Sequence, residues 1–188
     1  MLKKPVAICV GHSRKGDKGA VNTSGVTEHQ FNRKVGQIVC AVLNERGYNA
    51  ILFDAYTGNG YASSMSWVGQ QCKQHKAVCA VELHFNSAGP FANGHEWLYW
   101  QRSAKSKLLA ECFATEFSKS FPSARARGAK PLGLDDRGSL FLRLTPCPAV
   151  ILEPFFGSNI DETVFYTKNQ TALAHCYADA LEAYLQMA

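Results

Sequence analysis

Apolar residues fall into two rhythms along this chain. Short apolar runs at residues 5–10, 48–54, 77–84 and 149–152 are bounded by glycine, proline or polar clusters, the mark of buried strands. His95-Glu96-Trp97-Leu98-Tyr99-Trp100 and Leu140 to Leu144 predict two more strands. Between the strands, apolar positions recur at helical spacing. Phe31, Val35, Ile38, Val39, Val42 and Leu43 mark one helix, and residues 62–75, with Trp67 and Val68, a weaker one. Leu108, Leu109, Cys112, Phe113 and Phe117 line a third, and a C-terminal helix begins at about Thr171, with Leu173, Tyr177, Leu181 and Tyr184 inward. Strands alternating with helices predict an α/β fold: a single open twisted sheet of about six strands, mostly parallel or mixed, flanked by helices on both faces.

The first helix has the clearest boundaries. Thr27-Glu28-His29-Gln30 reads as a capping box, with Gln30 reaching back to Thr27, and Gly47 stands where a C′ glycine belongs. Glu28 is then the first residue of a helix of about 19 residues, its carboxylate at the positive end of the helix dipole. Gly11 to Ala20, with three glycines among polar residues, reads as a loop. Pro122 to Gly133, with Arg125, Arg127 and Lys130, reads as a solvated loop.

Composition narrows the class. At 188 residues, 46% hydrophobic and 19% charged, the chain suits one globular domain spanning 1–188. No apolar run approaches the roughly 20 residues of a membrane span. The N-terminal apolar run is about six residues, shorter than a signal-peptide core, so it reads as a strand and the chain as made in the cytoplasm. Seven cysteines without a C-x-x-C argue against a disulfide framework or a thiolate metal cluster, and read as small buried hydrophobes. A net charge of +5 suits an acidic polymer, either cell wall or nucleic acid, but no DNA-binding motif accompanies it.

The chemistry is concentrated at strand ends. His12, His84 and Glu153 each follow the carboxyl end of a predicted strand, and Glu28 begins the helix after the first loop. If the strands are parallel neighbours, these side chains gather on the rim where open α/β sheets bind ligands. Two histidines and a carboxylate form a catalytic zinc set that leaves one position for water. A second carboxylate is needed as general base, and Glu153, between an apolar strand and Pro154-Phe155-Phe156, suits that role. His29, beside Glu28, and His95 stand as alternative ligands. His75 and His175 read as surface or packing residues.

In these segments the chain resembles the zinc-dependent N-acetylmuramoyl-L-alanine amidases of bacterial cell separation and phage lysis. Gly11-His12 through Asp17-Lys18-Gly19-Ala20 resembles the family's first zinc loop, and Glu28 with Asn32 its helix-borne glutamate. Leu83-His84-Phe85-Asn86-Ser87-Ala88 resembles the second histidine motif, and Gly94-His95-Glu96-Trp97 the segment after it. Arg137-Gly138 and Leu140 to Leu144, then Pro148 through Glu153 to Gly157-Ser158-Asn159, resemble the closing block. The resemblance implies hydrolysis of the amide between N-acetylmuramic acid and the L-alanine of the stem peptide. It implies Zn2+ on His12, Glu28 and His84 with Glu153 as base, and peptidoglycan as partner. Asn86 and Arg137 are the candidate substrate contacts.

Two stretches depart from the family pattern. Ser13-Arg14-Lys15 replaces a glycine-rich run, and Pro154-Phe155-Phe156 replaces smaller residues. Arg14 and Lys15 read as facing water, with contact to substrate carboxylates as the other option. The segment 85–137 is too short for a long regulatory helix, so an open groove is expected. With no separate wall-binding domain in view, the expectation is a phage-type lysin that collects in the cytoplasm and acts at the wall or periplasm after release. A zinc exopeptidase or other amidohydrolase on a similar sheet, and a non-catalytic wall-binding module, are the competing readings.

Overall fold

A computed structural model describes residues 5–187. Six strands and six helices alternate along the chain: β1 (Pro5–Val10), α1 (Glu28–Glu45), β2 (Asn49–Phe53), α2 (Tyr61–Gln74), β3 (Cys79–Leu83), β4 (His95–Trp100), α3 (Ala104–Ser120), β5 (Ala126–Leu132), α4 (Ser139–Leu144), β6 (Ala149–Glu153), α5 (Ile160–Lys168) and α6 (Gln170–Met187). The strands form one sheet in the order β2-β1-β3-β6-β4-β5. β2, β1, β3 and β6 run parallel; β4 is antiparallel to β6, and β5 is parallel to β4. The open, mixed α/β sheet expected from the sequence is the observed one.

Side-chain size along the strands decides how the two faces are covered. Val6 and Ile8 of β1, Val81 and Leu83 of β3, and Val150 and Leu152 of β6 point to one face, where α1, α3 and α6 pack on them. Most of the intervening apolar positions are small: Ala7, Cys9, Ala80 and Ala149, with the larger Ile151, point to the other face, under α2 and α4. Large residues on one side and small ones on the other give a thick layer and a thin one. Trp97 and Tyr177 anchor the thick side, with no exposure for Trp97. Five cysteines are buried and all seven are free, as their apolar surroundings suggested.

Two elements differ from the sequence reading. Leu140 to Leu144 is not a strand but lies within α4. A five-residue stretch, apolar but for Arg143, has no period long enough to separate strand from helix. Here Phe141 and Leu142 turn inward onto the thin face, and Gly69 of α2 lets the chain at Leu144 approach closely. The sixth strand is instead β5, inside the stretch read as a loop. It has a polar sequence because it is an edge strand, paired only with β4, where Pro131 is tolerated. Ala126 pairs with His95 and Gly128 with Glu96, so Arg127 is the extra residue of a bulge, with Gly128 at φ 82°. A short helix, α5, also lies after β6. It is capped by Asn159, whose side chain accepts the amides of Asp161 and Glu162 at 3.0 and 3.1 Å.

The start of α1 matches the capping reading. Gln30 donates its backbone N–H to Thr27 Oγ1 at 3.3 Å, and the Thr27 amide donates to Gln30 Oε1 at 3.3 Å. Gly47 takes φ 77° just past the helix. Because this cap sets where Glu28 sits, Thr27→Ala should lower stability by about 1 kcal/mol in urea unfolding, with Thr27→Ser close to wild type.

Candidate metal centre and its cleft

β1, β3 and β6 are consecutive parallel neighbours, so their carboxyl ends share one rim. His12 and His84 follow β1 and β3 by one or two residues, Glu153 ends β6, and Glu28 opens α1 at the same rim. The Glu28 carboxylate stands between the two imidazoles. Its Oε2 lies 3.0 Å from His12 Nε2 and its Oε1 2.7 Å from His84 Nδ1. The backbone amides of Ala20 and Phe85 donate to the same two oxygens, at 3.1 and 3.2 Å. One nitrogen from each histidine and a carboxylate oxygen of Glu28 all lie within 4.8 Å of one another.

The loop chemistry around this triad keeps room for it. His12 adopts φ 66°, a left-handed conformation uncommon for a residue with a Cβ, at the position where a ligand would need it. A Cβ at Gly19 would meet the His12 ring at 2.6 Å and Glu28 Oε2 at 2.7 Å, and one at Gly11 would overlap the His84 ring. Each imidazole also has a carboxylate behind it: Asp17 Oδ2 is 3.1 Å from His12 Nδ1, and Glu82 Oε2 is 3.2 Å from His84 Nε2. Two half-buried imidazoles and one buried carboxylate, converging and with the rings backed from behind, fit a divalent metal of the zinc type.

Charge supports the same fit. Burial of Glu28 opposes its ionisation, but His12 and His84 outweigh that and hold its carboxyl well below the usual range. Burial likewise opposes charge on the two rings, yet carboxylates win: the His12 pKa is raised, chiefly by Glu28, and that of His84 well raised by Glu82 and Glu28. The pocket therefore has an unmet demand for positive charge that protons or a cation can satisfy.

A cleft of about 580 Å³ opens beside the triad. It lies on the thin face, beyond the reach of α4, and its floor is the ends of β4 and β6. One oxygen of Glu153 is buried there without a hydrogen-bond partner. Burial pushes the Glu153 carboxyl up to about 8; His84 opposes the rise, and Glu28, Glu96 and Glu82 add to it. Glu96 faces the same cleft in the opposite electrostatic state. Arg127 Nε and Lys130 Nζ each reach Glu96 Oε2 at 2.6 Å, and they outweigh its burial to keep it ionised. The bulge at Arg127 is what brings both cations to one carboxylate.

Of the predicted substrate contacts, Arg137 lines the cleft and has no ion-pair partner among the described residues. Asn86 lines it too, but its amide donates to Glu96 Oε1 at 2.9 Å and accepts the Ser87 amide at 2.9 Å. Arg14 pairs with Asp54 at 3.1 Å, away from the triad. The alternative ligands lie elsewhere. His95 sits on the thick face against Phe117, ring centroids 4.4 Å apart, and burial lowers its pKa to about 4. His29 is buried one residue past Glu28, with its pKa lowered mainly by burial. Phe155, within the departing Pro154-Phe155-Phe156 stretch, stacks on Tyr166 at 4.9 Å and packs beneath the rim.

Glu82 and the pairing of Glu96 with Arg127 and Lys130 are absent from the sequence reading, which places both cations in a solvated loop. Glu82 had a signal, as the one charged residue in an otherwise apolar central strand. Arg127 and Lys130 stand out as basic residues, but their partner does not, because an edge strand carries no hydrophobic pattern to place it.

With the geometry in place, comparison with known proteins gives one answer. The family described as N-acetylmuramoyl-L-alanine amidase matches residues 6–183. No curated protein sequence matches the chain. Among solved structures, the catalytic domain of CwlV from Bacillus (Paenibacillus) polymyxa var. colistinus is 27% identical, with a TM-score of 0.81 over 97% of this chain and 98% of that one. AmiC2 of Nostoc punctiforme is 23% identical, TM-score 0.81, over 97% of each chain. The catalytic domain of the CD27L endolysin, which targets Clostridia difficile, is 22% identical, TM-score 0.78, over 96% and 97%.

The buried acid gives a measurable pH dependence. Glu153 ionises near 4.5 in an unfolded chain and at about 8 here, so across that window the folded chain keeps a proton that the unfolded chain releases. The stability contributed by the neutral acid is complete below pH 4.5, falls as pH rises, and is gone above about 8. In EDTA, Glu153→Gln should match wild type near pH 4.5 and melt ~5 °C or more above it at pH 9. A Tm difference that does not change with pH would show that Glu153 ionises freely.

Proposed function

Because the chain belongs to the N-acetylmuramoyl-L-alanine amidase family, and is therefore a hydrolase of peptidoglycan amide bonds, we propose that His12, Glu28 and His84 hold zinc and that Glu153 is the proton carrier. The observation that carries this is the convergence of the three donor groups within 4.8 Å, beside a cleft that buries an unpartnered Glu153 oxygen. Zinc bound there supplies a Lewis acid for the scissile carbonyl and makes water acidic enough to be a nucleophile at neutral pH.

The protein's own groups do the rest. Glu153 takes the proton of the attacking water and delivers it to the nitrogen of L-alanine as the bond to the lactyl group of N-acetylmuramic acid breaks. Its buried site keeps its basicity close to working pH, where both transfers run well. Arg137, the cleft cation without a carboxylate of its own, meets a carboxylate of the stem peptide. Asn86 lines the cleft with one N–H on Glu96 and its second N–H left to donate to substrate. Residues 5–187 act as one catalytic domain.

Digestion of purified peptidoglycan should release stem peptides with a free L-alanine amine, read by mass spectrometry. Fragments cut within the peptide would point instead to an exopeptidase or endopeptidase. Glu153→Ala should keep its full zinc content by metal analysis and lose ~10³-fold in turnover; near wild-type turnover would assign the proton transfer to another group. His84→Ala should lose its zinc on dialysis, and full retention would remove His84 from the ligand set. Arg137→Ala should raise KM by ~10-fold or more with kcat little changed, the mark of lost ground-state binding.

A further inference from the structure

Glu82 is a carboxylate in an unusual place. It sits in the middle of the sheet, on β3, between Cys9 of β1 and Ile151 of β6 in register. It is 2% exposed, and every other residue of β3 is apolar and buried. No lysine or arginine pairs with it among the described residues. Its only ion-pair partner there is His84, with Oε2 3.2 Å from Nε2, and its other oxygen is buried without a hydrogen-bond partner. A buried charge with one imidazole partner is costly to a fold, and a leucine or serine would fill the position without that cost. Structure alone gives no reason for a carboxylate here.

The orientation of His84 gives one. Nδ1 faces Glu28 at 2.7 Å, on the side of the triad, so Nε2 is the nitrogen left over. A ring offering a lone pair at Nδ1 must carry its proton on Nε2, and a carboxylate behind Nε2 fixes that tautomer and the ring's rotation. His12 is backed in the same sense by Asp17, but the Asp17 side chain is 68% exposed and that of Glu82 only 3%. The contact in the dry interior is the one that holds its geometry.

We infer that Glu82 is a positioning residue for the metal centre: it accepts the Nε2 proton of His84 and so presents Nδ1 to the cation. This rests on the zinc reading of the triad given above. Glu82 reaches the inner wall of the cleft, and the role assigned to it is to hold His84, with proton transfer left to Glu153.

The test is zinc affinity, measured by chelator competition on wild type, Glu82→Gln and Glu82→Leu at one pH, with thermal midpoints in EDTA alongside. Glu82→Leu should bind zinc about 10–100-fold more weakly than wild type while its metal-free midpoint stays level or rises. Glu82→Gln, which still offers an acceptor oxygen, should recover part of the affinity. Equal zinc affinities in all three proteins would overturn the role of Glu82 and leave the triad standing. A wild type that takes up no zinc would overturn both together. Should the leucine variant not fold, histidine-labelled wild type loaded with zinc decides the matter by nitrogen NMR. A proton on Nε2 of His84 is expected, and a proton on Nδ1 with Nε2 as ligand would overturn the inference.

Discussion

One carboxylate organises the rim of this sheet. Glu28 receives four groups at once: two imidazole nitrogens and the amides of Ala20 and Phe85. Those four come from two segments, the loop between β1 and α1 (His12 and Ala20) and the loop after β3 (His84 and Phe85), the second more than fifty residues from Glu28. A side chain this buried and this fully bonded has a single usable position. The start of α1 is therefore fixed relative to both strands, and the capping box, the left-handed His12 and the glycines at 11 and 19 all serve that fixation. Without Glu28, two half-buried rings would face each other with no carboxylate between them to draw in a proton or a cation.

The cleft follows from a simpler constraint, the size of side chains. Small residues on one face of the sheet allow only a thin cover of α2 and a one-and-a-half-turn α4, while the large residues opposite take three long helices. The thin cover ends before the amino end of β4 and the carboxyl end of β6, which lie side by side because the two strands are antiparallel. The positions that continue this face there are Glu96 and Glu153, and both line the cleft. The asymmetry of the sheet thus leaves a polar floor at the one edge where the histidines also arrive.

How far this could be read from the chain varies with the physics of each part. Strands buried on both faces announce themselves as apolar runs, so β1, β3 and β6, which carry the site, were legible to within about two residues. The cap of α1 was legible because Thr27, Gln30 and Gly47 each do a local job that needs no tertiary partner. The errors came where tertiary context decides. Leu140 to Leu144 is too short to show a period, and the edge strand β5 hides its nature because one side has no neighbour. The total of six strands was reached with one strand wrongly placed. In the site, residues at strand ends were found, whereas Glu82 and the pair Arg127 and Lys130 depend on which side chains the folded sheet brings together.

Four glutamates meet at this rim, and their partners sort them. Glu28 has two histidines, and Glu82 has the far nitrogen of one of them. Glu96 has a guanidinium and an ammonium. Glu153 has no cation in direct contact and keeps one oxygen buried without a partner. A carboxylate tied to fixed positive charge cannot pick up a proton near neutral pH, because the pairing energy opposes it. Burial without pairing does the reverse and brings the pKa up into the working range. The same set of side chains thus separates holding a cation from moving a proton, and the separation comes from what each acid faces rather than from the acids themselves. Glu153 thus has the electrostatics of a proton carrier, independently of its place in the sequence. The same sorting explains why Arg127 and Lys130 crowd onto Glu96: with that charge neutralised, Glu153 is less pressed by a like charge, and the cleft can admit the carboxylates of a stem peptide.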